Sequence, residues 1–327
     1  MTLIYFILIL GITVFIHELG HFIFAKHAGI YVYEFSIGMG PQIFKFHRKN
    51  DETEYSIRLL PIGGYVQMAG EEIEADEDIP KEKQMTHKKW HQRFMTVIAG
   101  ILFNFLLAIF IFFIVGLING VPTETTTVAD VSKNSAAFKA GLKSGDKILK
   151  INGTKIVSSD HLMLLVQING KDKMNMTILR DGKEKALQIT PKEIKENDQV
   201  SYQYGFTKMF SLIHQMILII AYLLLGKLSI SSLAGPVGIY TVVDQSAKAG
   251  ILSLIYLLGF LSLNVGFINL LPIPAFDGGR LLFLIIEKIK GSPVKPKIEN
   301  TIHEIGFVFL MVLMVVITYH DILRLFH

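Results

Sequence analysis

Residues 15–24 read Phe15-Ile16-His17-Glu18-Leu19-Gly20-His21-Phe22-Ile23-Phe24, which places two imidazoles and one carboxylate inside an apolar run that starts at Leu3. Residues 3–25 are long enough for a helix that crosses a bilayer, since about 20 apolar residues span the hydrocarbon. Ionisable side chains at that depth are costly and by default mark a functional site. The stretch therefore predicts a transmembrane helix that carries chemistry.

The spacing of the two histidines favours a metal site. A helix brings positions i and i+4 onto one face, so His17 and His21 can bind one ion. Glu18 follows His17 directly, and in this H-E-x-x-H pattern the glutamate serves as general base of a zinc peptidase. Two simpler alternatives stay open: an accidental surface pattern, or a structural hydrogen-bonded cluster between helices. A third ligand elsewhere in the chain would favour the metal site.

Composition limits the class of protein. The 327 residues are 51% hydrophobic and their mean hydropathy is positive, which predicts a membrane protein. A net charge of +4 gives no reason to expect a nucleic-acid partner. Cysteine is absent, so zinc would have to be held by histidine and carboxylate. No Lys or Arg precedes the first apolar run and no small-residue cleavage site follows it, so we expect this span to be retained.

Four transmembrane helices are predicted, at residues 1–26, 94–119, 251–290 (interrupted) and 302–321. The first ends at Lys26 with no cation before it, so the N-terminus should lie outside and His17 nearer the cytoplasmic face. Residues 207–250 are interpreted as an interfacial amphipathic helix and loop, although hydropathy alone permits a further span there. A further crossing would reverse the third span and carry Asp277 to the outer face, away from His21.

Residues 27–93 are predicted to form membrane-associated β hairpins and an acidic cytoplasmic loop. The alternation of residues 31–37 is broken at Gly38-Met39-Gly40-Pro41, and Gly63-Gly64 indicates a close backbone approach. An ordinary sheet and an edge strand that pairs with an extended substrate are equally compatible with this pattern. The acidic residues 71–84 are expected to form a solvated loop without chemistry.

Residues 120–201 are soluble in character. Residues 140–153 follow the pattern A-G-L-x-x-G-D-x-I-L-x-I-N-G, which resembles a bacterial PDZ domain. Such domains capture peptide chain ends by strand addition. There is room for one copy, and because it follows an outward-going span we expect it outside the cytoplasm. The predicted fold class is thus a polytopic α-helical membrane protein with a β-rich loop and one α+β PDZ domain.

The third span carries a candidate third ligand. Pro272-Ile273-Pro274 interrupts it, and broken helices in membranes occur where they line a cavity or site. Asp277 is the one carboxylate between Ile251 and Gly279 and is interpreted as a metal ligand, with an N-cap of the following helix as the alternative. Asn104, a lone amide in the second span, is expected to make an interhelical contact rather than to point at the site.

These motifs resemble the site-2 protease family of intramembrane zinc metalloproteases, and the match is closest to its bacterial RseP/RasP branch. The resemblance covers essentially the whole chain. It rests on HELGH, the Lys88–Phe94 segment, the PDZ pattern, Gly235-Pro236 and the N-x-L-P-I-P-x-x-D-G-G run that begins at Asn269. Where the family usually has Leu before the aspartate this chain has Phe276, which we expect to change packing and not ligation.

The resemblance implies a set of site residues. It implies Zn²⁺ bound by His17, His21 and Asp277, with Glu18 as the general base. It also implies that two asparagines hold the substrate backbone and that two glycine pairs guide the unwound substrate: Asn264, Asn269, Gly38, Gly40, Gly63 and Gly64.

Location and partners follow from the same resemblance. It implies a multi-pass protein of the bacterial cytoplasmic membrane whose substrates are single-span membrane proteins, such as anti-sigma factors or remnant signal peptides. Two rival interpretations stay open. One is a membrane-anchored PDZ adaptor with a structural or vestigial metal site, and the other is a membrane metallopeptidase that uses a glutamate as third ligand.

Overall fold

The computed structural model describes residues 1–49, 51–71, 78–119, 126–128, 131, 135–156, 161–162, 165–166, 173–189, 204–228 and 233–325. The chain divides into two compact units, Met1–Ile111 with Ser231–His327, and Phe112–Ile230. Residues 72–77 of the predicted acidic loop and large parts of the predicted PDZ domain lie outside the described residues.

The helices are α1 (Thr2–His27), α2 (Trp90–Asn119), α3 (Ala136–Lys139), α4 (Tyr204–Leu224), α5 (Pro236–Ala249), α6 (Ile251–Leu270), α7 (Asp277–Lys290) and α8 (Pro296–Leu325). The strands are β1 (Val32–His47), β2 (Glu54–Met68), β3 (Lys147–Ile151), β4 (Thr154–Lys155), β5 (Met174–Arg180) and β6 (Lys183–Ile189). Two single 3₁₀ turns, Lys81–Lys83 and Met85–His87, precede α2.

Among the described residues, five helices are long and apolar enough to cross a membrane: α1, α2, α4, α6 and α8. The chain is therefore a multi-pass membrane protein. Exactly four spans stays a prediction, because α4 meets the same criteria of length and composition as the other helices. The interruption predicted in the third span is present, since α6 ends at Leu270 and α7 begins at Asp277.

Helices α1 and α2 approach closely because small residues face one another. A Cβ at Gly20 would lie 2.5 Å from the carbonyl oxygen of Ala99, so only glycine allows the two backbones to meet there. The buried side of α1 runs through Thr13, His17, His21 and Ala25, a spacing of about one helical turn. The polar residues of the HELGH stretch thus sit on the face that packs against the rest of the protein.

Strands β1 and β2 form one folded-over sheet beside α1. Residues 34–37 of β1 have partners from both halves of β2, residues 64–67 on one side and 54–57 on the other. Gly38 and Gly40 have φ of +88° and +85°, values that favour glycine and let the chain bend without ending the strand. The predicted interruption at these glycines is therefore a bend within one long strand.

A buried carboxylate ties the halves of this sheet together. Glu34 accepts hydrogen bonds from the Ser56 and Tyr65 hydroxyls and from the Arg58 guanidinium. Burial alone would raise the pKa of Glu34, but these donors outweigh it and hold the pKa below its ordinary value. Burial and the bond to Glu34 raise the pKa of Tyr65 to about 12, so the phenol stays protonated.

Replacing Glu34 with glutamine is expected to destabilise the β1–β2 sheet by about 1–3 kcal/mol, because the Arg58 guanidinium loses its charged partner. Since the pKa of Glu34 is depressed on folding, its contribution is present above the ordinary glutamate pKa of about 4.3 and is lost as pH falls toward the folded-state pKa. Proteolytic resistance of the sheet in parent and variant should therefore converge below pH ~4.3. A difference that is constant between pH 3 and 7 would contradict this role.

The second unit contains a four-stranded antiparallel sheet in the order β4-β3-β5-β6. Its core includes Ile148, Met176 and Ile178. The β5–β6 hairpin turns at Asp181-Gly182 with positive φ at both residues, as the Asp-Gly signal predicts. The short helix, glycine turn and strand predicted over residues 135–153 are also present. The assignment as a PDZ domain stays a prediction.

The structure adds one helix that the sequence did not indicate. The loop predicted in the later part of residues 207–250 contains α5, which begins at Pro236, where the fixed φ of proline suits the first helical turn. Asp321 of α8 accepts a hydrogen bond from the Gly238 backbone N–H at 2.8 Å and so satisfies the helix start. This partner lies 83 residues away in sequence, so no local capping signal exists.

Candidate metal and catalytic centre

Three potential ligand atoms converge in the first unit. His17 Nε2 lies 3.2 Å from His21 Nε2, and Asp277 Oδ2 lies 3.0 Å and 3.2 Å from these two nitrogens. Both histidines are buried. Tetrahedral zinc, with bonds of about 2.0–2.2 Å to nitrogen and oxygen, needs ligand atoms separated by roughly 3.3 Å. The observed triangle therefore matches three corners of such a site in size.

The carboxylate oxygen at one corner of this triangle argues for a cation. Asp277 Oδ2 is buried, and the polar atoms that the structure places near it are the two Nε2 nitrogens, which a metal ion would need unprotonated. A buried carboxylate is unfavourable unless a cation or a charged partner satisfies it. Two imidazoles and one carboxylate are also the donor types that zinc binds in catalytic sites with three protein ligands. The residues present fit a zinc ion.

Asp277 reaches the histidines because of the break between α6 and α7. It is the first residue of α7, the N-cap is Phe276, and no side-chain cap is formed, so the N-cap alternative is wrong. Helix α8 supports the break: Ala275, which has φ of +78°, donates its backbone N–H to His303 Nδ1 at 2.9 Å. Gly306 lets Pro274 pack against α8, since a Cβ there would lie 2.5 Å from the proline side chain.

The ring nitrogens that face away from the triangle also have partners. His21 Nδ1 lies 2.8 Å from the backbone oxygen of Thr96, an acceptor that holds the proton on Nδ1 and leaves Nε2 free as a ligand. His17 Nδ1 lies 3.3 Å from Nδ2 of Asn104. The expected role of Asn104 as an interhelical contact is thus incomplete, because its side chain also touches a candidate ligand.

Gly100 of α2 leaves the room that the imidazoles occupy. A Cβ at this position would lie 2.3 Å from His21 Nε2 and 2.9 Å from His17 Cε1. Any side chain here would move at least one candidate ligand atom.

Replacing Gly100 with alanine is expected to weaken zinc binding about ten-fold or more, because the added methyl displaces the His21 ring. Metal content after dialysis against a zinc buffer measures the effect. Gly235→Ala is the matched control: its Cβ would crowd Asp321 and Ile317 of α8 at 2.8 Å and neither imidazole, so zinc content should be kept. Equal zinc content in both variants would contradict the assigned position of the ion.

A cavity of about 370 Å³ opens beside the triangle. Its lining includes residues from α1, β2, the segment after β2, α6 and α7, among them Glu18, Tyr65, Glu71, Asn269, Asp277 and Arg280. Glu18 lies against the strand, as a Cβ at Gly64 would be 3.7 Å from the Glu18 side chain. The Arg280 guanidinium forms an ion pair with Glu71 across this space. The Glu18 carboxylate and the three candidate ligands therefore all line one cavity.

The remaining predicted site residues divide into two groups. Asn269 lines the cavity and Gly64 lies next to Glu18. Asn264 instead donates to the Phe260 backbone oxygen within α6, at 2.7 Å. Three glycines stand in the bent part of the sheet and do not line the cavity: Gly38, Gly40 and Gly63. His303 was not predicted, and its one signal is a histidine near the start of the last predicted span, beside Glu304.

Comparison with known proteins places the chain in a family. Residues 5–313 match the family described as Peptidase family M50. The chain is 35% identical to "Zinc metalloprotease RasP" of Bacillus licheniformis and 36% identical to "Regulator of sigma-W protease RasP" of Bacillus subtilis, with 99% of each chain covered. It is 36% identical to "Putative zinc metalloprotease SAR1238" of Staphylococcus aureus, also over 99% of both chains.

The chain therefore belongs to peptidase family M50, the site-2 protease family. It is a zinc metalloprotease with several membrane-spanning helices. The family and the enzyme class predicted from the motifs are confirmed.

Proposed function

We propose that His17, His21 and Asp277 hold a zinc ion and that Glu18 is the general base for hydrolysis of peptide bonds within or near transmembrane segments. The observation that carries this proposal is the triangle of His17 Nε2, His21 Nε2 and the buried Asp277 Oδ2, with sides of 3.0–3.2 Å. The open cavity beside it leaves room for water and substrate. A structural site would instead be closed by a fourth protein ligand.

Glu18 supplies the proton transfers. Zinc, when bound, lowers the pKa of water and polarises the scissile carbonyl. The Glu18 carboxylate takes one proton from the attacking water and delivers it to the amide nitrogen as the C–N bond breaks, so the products are a carboxylic acid and an amine. Its position on α1, one residue after His17, keeps the carboxylate in the lining of the cavity.

Strand addition would hold the substrate. A helical substrate has its carbonyls engaged in its own hydrogen bonds, so the scissile segment must unwind before attack. Residues 64–67 of β2 pair with β1 on one side and lie next to Glu18, which suits an edge strand that pairs with the unwound segment. The amide of Asn269, from the cavity wall, would bind the substrate backbone. Asn264 and the glycines at 38, 40 and 63 would shape this path indirectly.

The sheet would sit at the membrane. Large apolar side chains are exposed along its outer part: Met39, Ile43, Phe44, Leu59 and Leu60. An exposed apolar patch of this kind suits contact with lipid. We place the N-terminus and the PDZ domain outside the cytoplasm, residues 207–250 at the interface, and the zinc site toward the cytoplasmic side. The excess of lysines at residues 288–297 supports this orientation by the positive-inside rule.

The substrates would be single-span membrane proteins. The Bacillus subtilis relative is named as a regulator of sigma-W, and by analogy we propose a membrane-anchored anti-sigma factor or a remnant signal peptide as the substrate class. The PDZ domain would select them by their chain ends.

Cleavage by the purified chain tests this function against the adaptor alternative. The chain, reconstituted in liposomes with a single-span protein, should cut it within or beside the span, and mass spectrometry of the products locates the cut. Removal of zinc by a chelator should stop cleavage and added zinc should restore it. An adaptor would bind the substrate and leave it intact under all of these conditions.

A further inference from the structure

A buried polar network stands behind His17. Asn104 of α2 and Ser262 of α6 are both fully buried. The Ser262 Oγ atom lies 3.2 Å from Asn104 Oδ1 and 3.0 Å from the Asn104 backbone oxygen. With Asn104 Nδ2 at 3.3 Å from His17 Nδ1, the contacts link three helices in an apolar interior. Buried polar groups of this kind must be paired, so their arrangement is constrained.

We propose that Asn104 and Ser262 are positioning residues for His17: when His17 binds the metal through Nε2, the Asn104 amide accepts a hydrogen bond from its Nδ1–H, and Ser262 permits the amide orientation that this requires. This inference rests on the proposed role of His17 as a zinc ligand. It goes beyond that role, because it assigns a task to two residues that neither line the cavity nor face the triangle.

The chemistry of imidazole imposes the requirement. A neutral imidazole that binds an ion through Nε2 carries its single proton on Nδ1, and that N–H needs an acceptor. In the present arrangement the amide NH₂ of Asn104 faces His17 Nδ1, which matches the other tautomer, with the proton on Nε2. A half-turn of the amide exchanges its oxygen and nitrogen without changing its shape. The oxygen then accepts from Nδ1–H, and the imidazole stays neutral throughout.

Ser262 makes both amide orientations possible. As it stands, its hydroxyl donates to Asn104, either to Oδ1 or to the backbone oxygen. After the half-turn the amide NH₂ faces Ser262 Oγ, which can accept from it while still donating to the backbone oxygen. A hydroxyl can accept and donate at once, which a methyl group cannot.

His17 and His21 therefore differ in the group that faces Nδ1. His21 Nδ1 faces a backbone oxygen, which can only accept, so its metal-binding tautomer is fixed by the main chain. His17 faces a side chain that presents either a donor or an acceptor. The network couples the protonated position of one ligand to the rotation of one amide, and zinc binding should depend on that amide.

Zinc affinity of the full-length chain in detergent, measured by competition with a chelator, tests the proposal. Asn104→Leu keeps the volume but removes the acceptor, and we expect zinc to bind about 10–100-fold more weakly. Asn104→Asp keeps an acceptor for Nδ1–H and should bind zinc within a few-fold of the parent. Ser262→Ala should bind several-fold more weakly. Thr13→Val is the matched control: it removes a buried hydroxyl of α1 bonded to the Ile9 backbone, and affinity should not change.

Rescue by aspartate separates positioning from simple packing, since a packing role would be damaged by both substitutions at Asn104. Equal affinity of Asn104→Leu and the parent, or equal loss in Asn104→Asp and Asn104→Leu, would overturn the proposal. If Asn104→Leu does not fold, Ser262→Ala becomes the deciding variant. Zinc affinity of Ser262→Ala equal to that of the parent then overturns the proposal. His17→Ala separates failure of this inference from failure of the proposed metal site. Unchanged zinc binding in that variant contradicts the metal site itself.

Discussion

Glu18→Gln is expected to lower the rate of peptide-bond cleavage by at least about 10²–10⁴-fold while zinc still binds at one ion per chain. The amide has nearly the shape of the carboxylate but cannot take a proton from water. Because His17, His21 and Asp277 are unchanged, the ion and the fold should be kept. Cleavage of a single-span substrate in liposomes and zinc content of the same preparation are the two measurements.

The control for this substitution is Glu304→Gln, which makes the same chemical change at an exposed position of α8. Its cleavage rate should equal that of the parent. Cleavage by purified Glu18→Gln at the parental rate would rule out the proton-transfer role, whereas loss of zinc together with activity would show that Glu18 holds the site together.

Asp277→Ala is expected to lose both zinc and cleavage, because the ion would retain only two protein ligands. The loss in zinc affinity should exceed the 10–100-fold that changes around metal ligands typically produce. Asp277→Asn gives the sharper comparison, since it keeps the shape of the side chain and removes the charge. Chelator competition measures affinity for both variants, and the melting temperature in detergent reports on the fold.

This substitution also tests the peptidase with a glutamate as third ligand. In the described part of the chain, His17, His21 and Asp277 are the group of histidine, aspartate and glutamate side chains whose ligand atoms lie within 4.8 Å of one another. Unchanged zinc binding in Asp277→Ala would favour a ligand outside this group and would remove the carboxylate from the site.

Local sequence was sufficient for the histidine pair, because the period of the helix alone places positions 17 and 21 on one face. Asp277 required an argument about membrane depth, as it lies 260 residues from His17 and no local pattern links them. The structure brings Asp277 Oδ2 within 3.0 Å of His17 Nε2, while the membrane topology behind that argument stays a prediction. The Pro-x-Pro break could also be predicted from the sequence, since a helix interrupted at membrane depth must line a cavity or be buried in protein.

Other features could not be read from the sequence. A lone amide such as Asn104 has no periodic partner, so its direction depends on how α2 is rotated against α1. Asp321 of α8 accepts the hydrogen bond from Gly238 N–H at the start of α5. His303, also of α8, accepts the one from Ala275 N–H. In each case the deciding hydrogen bond joins segments far apart in the chain, which propensity and periodicity do not report.

X-ray diffraction from zinc-loaded crystals, recorded on both sides of the zinc absorption edge, tests the central claim most directly. The account predicts one anomalous peak per chain, about 2.0–2.2 Å from His17 Nε2, His21 Nε2 and Asp277 Oδ2, with no fourth protein ligand. A peak elsewhere in the chain, or one closed by a fourth side chain, would contradict it.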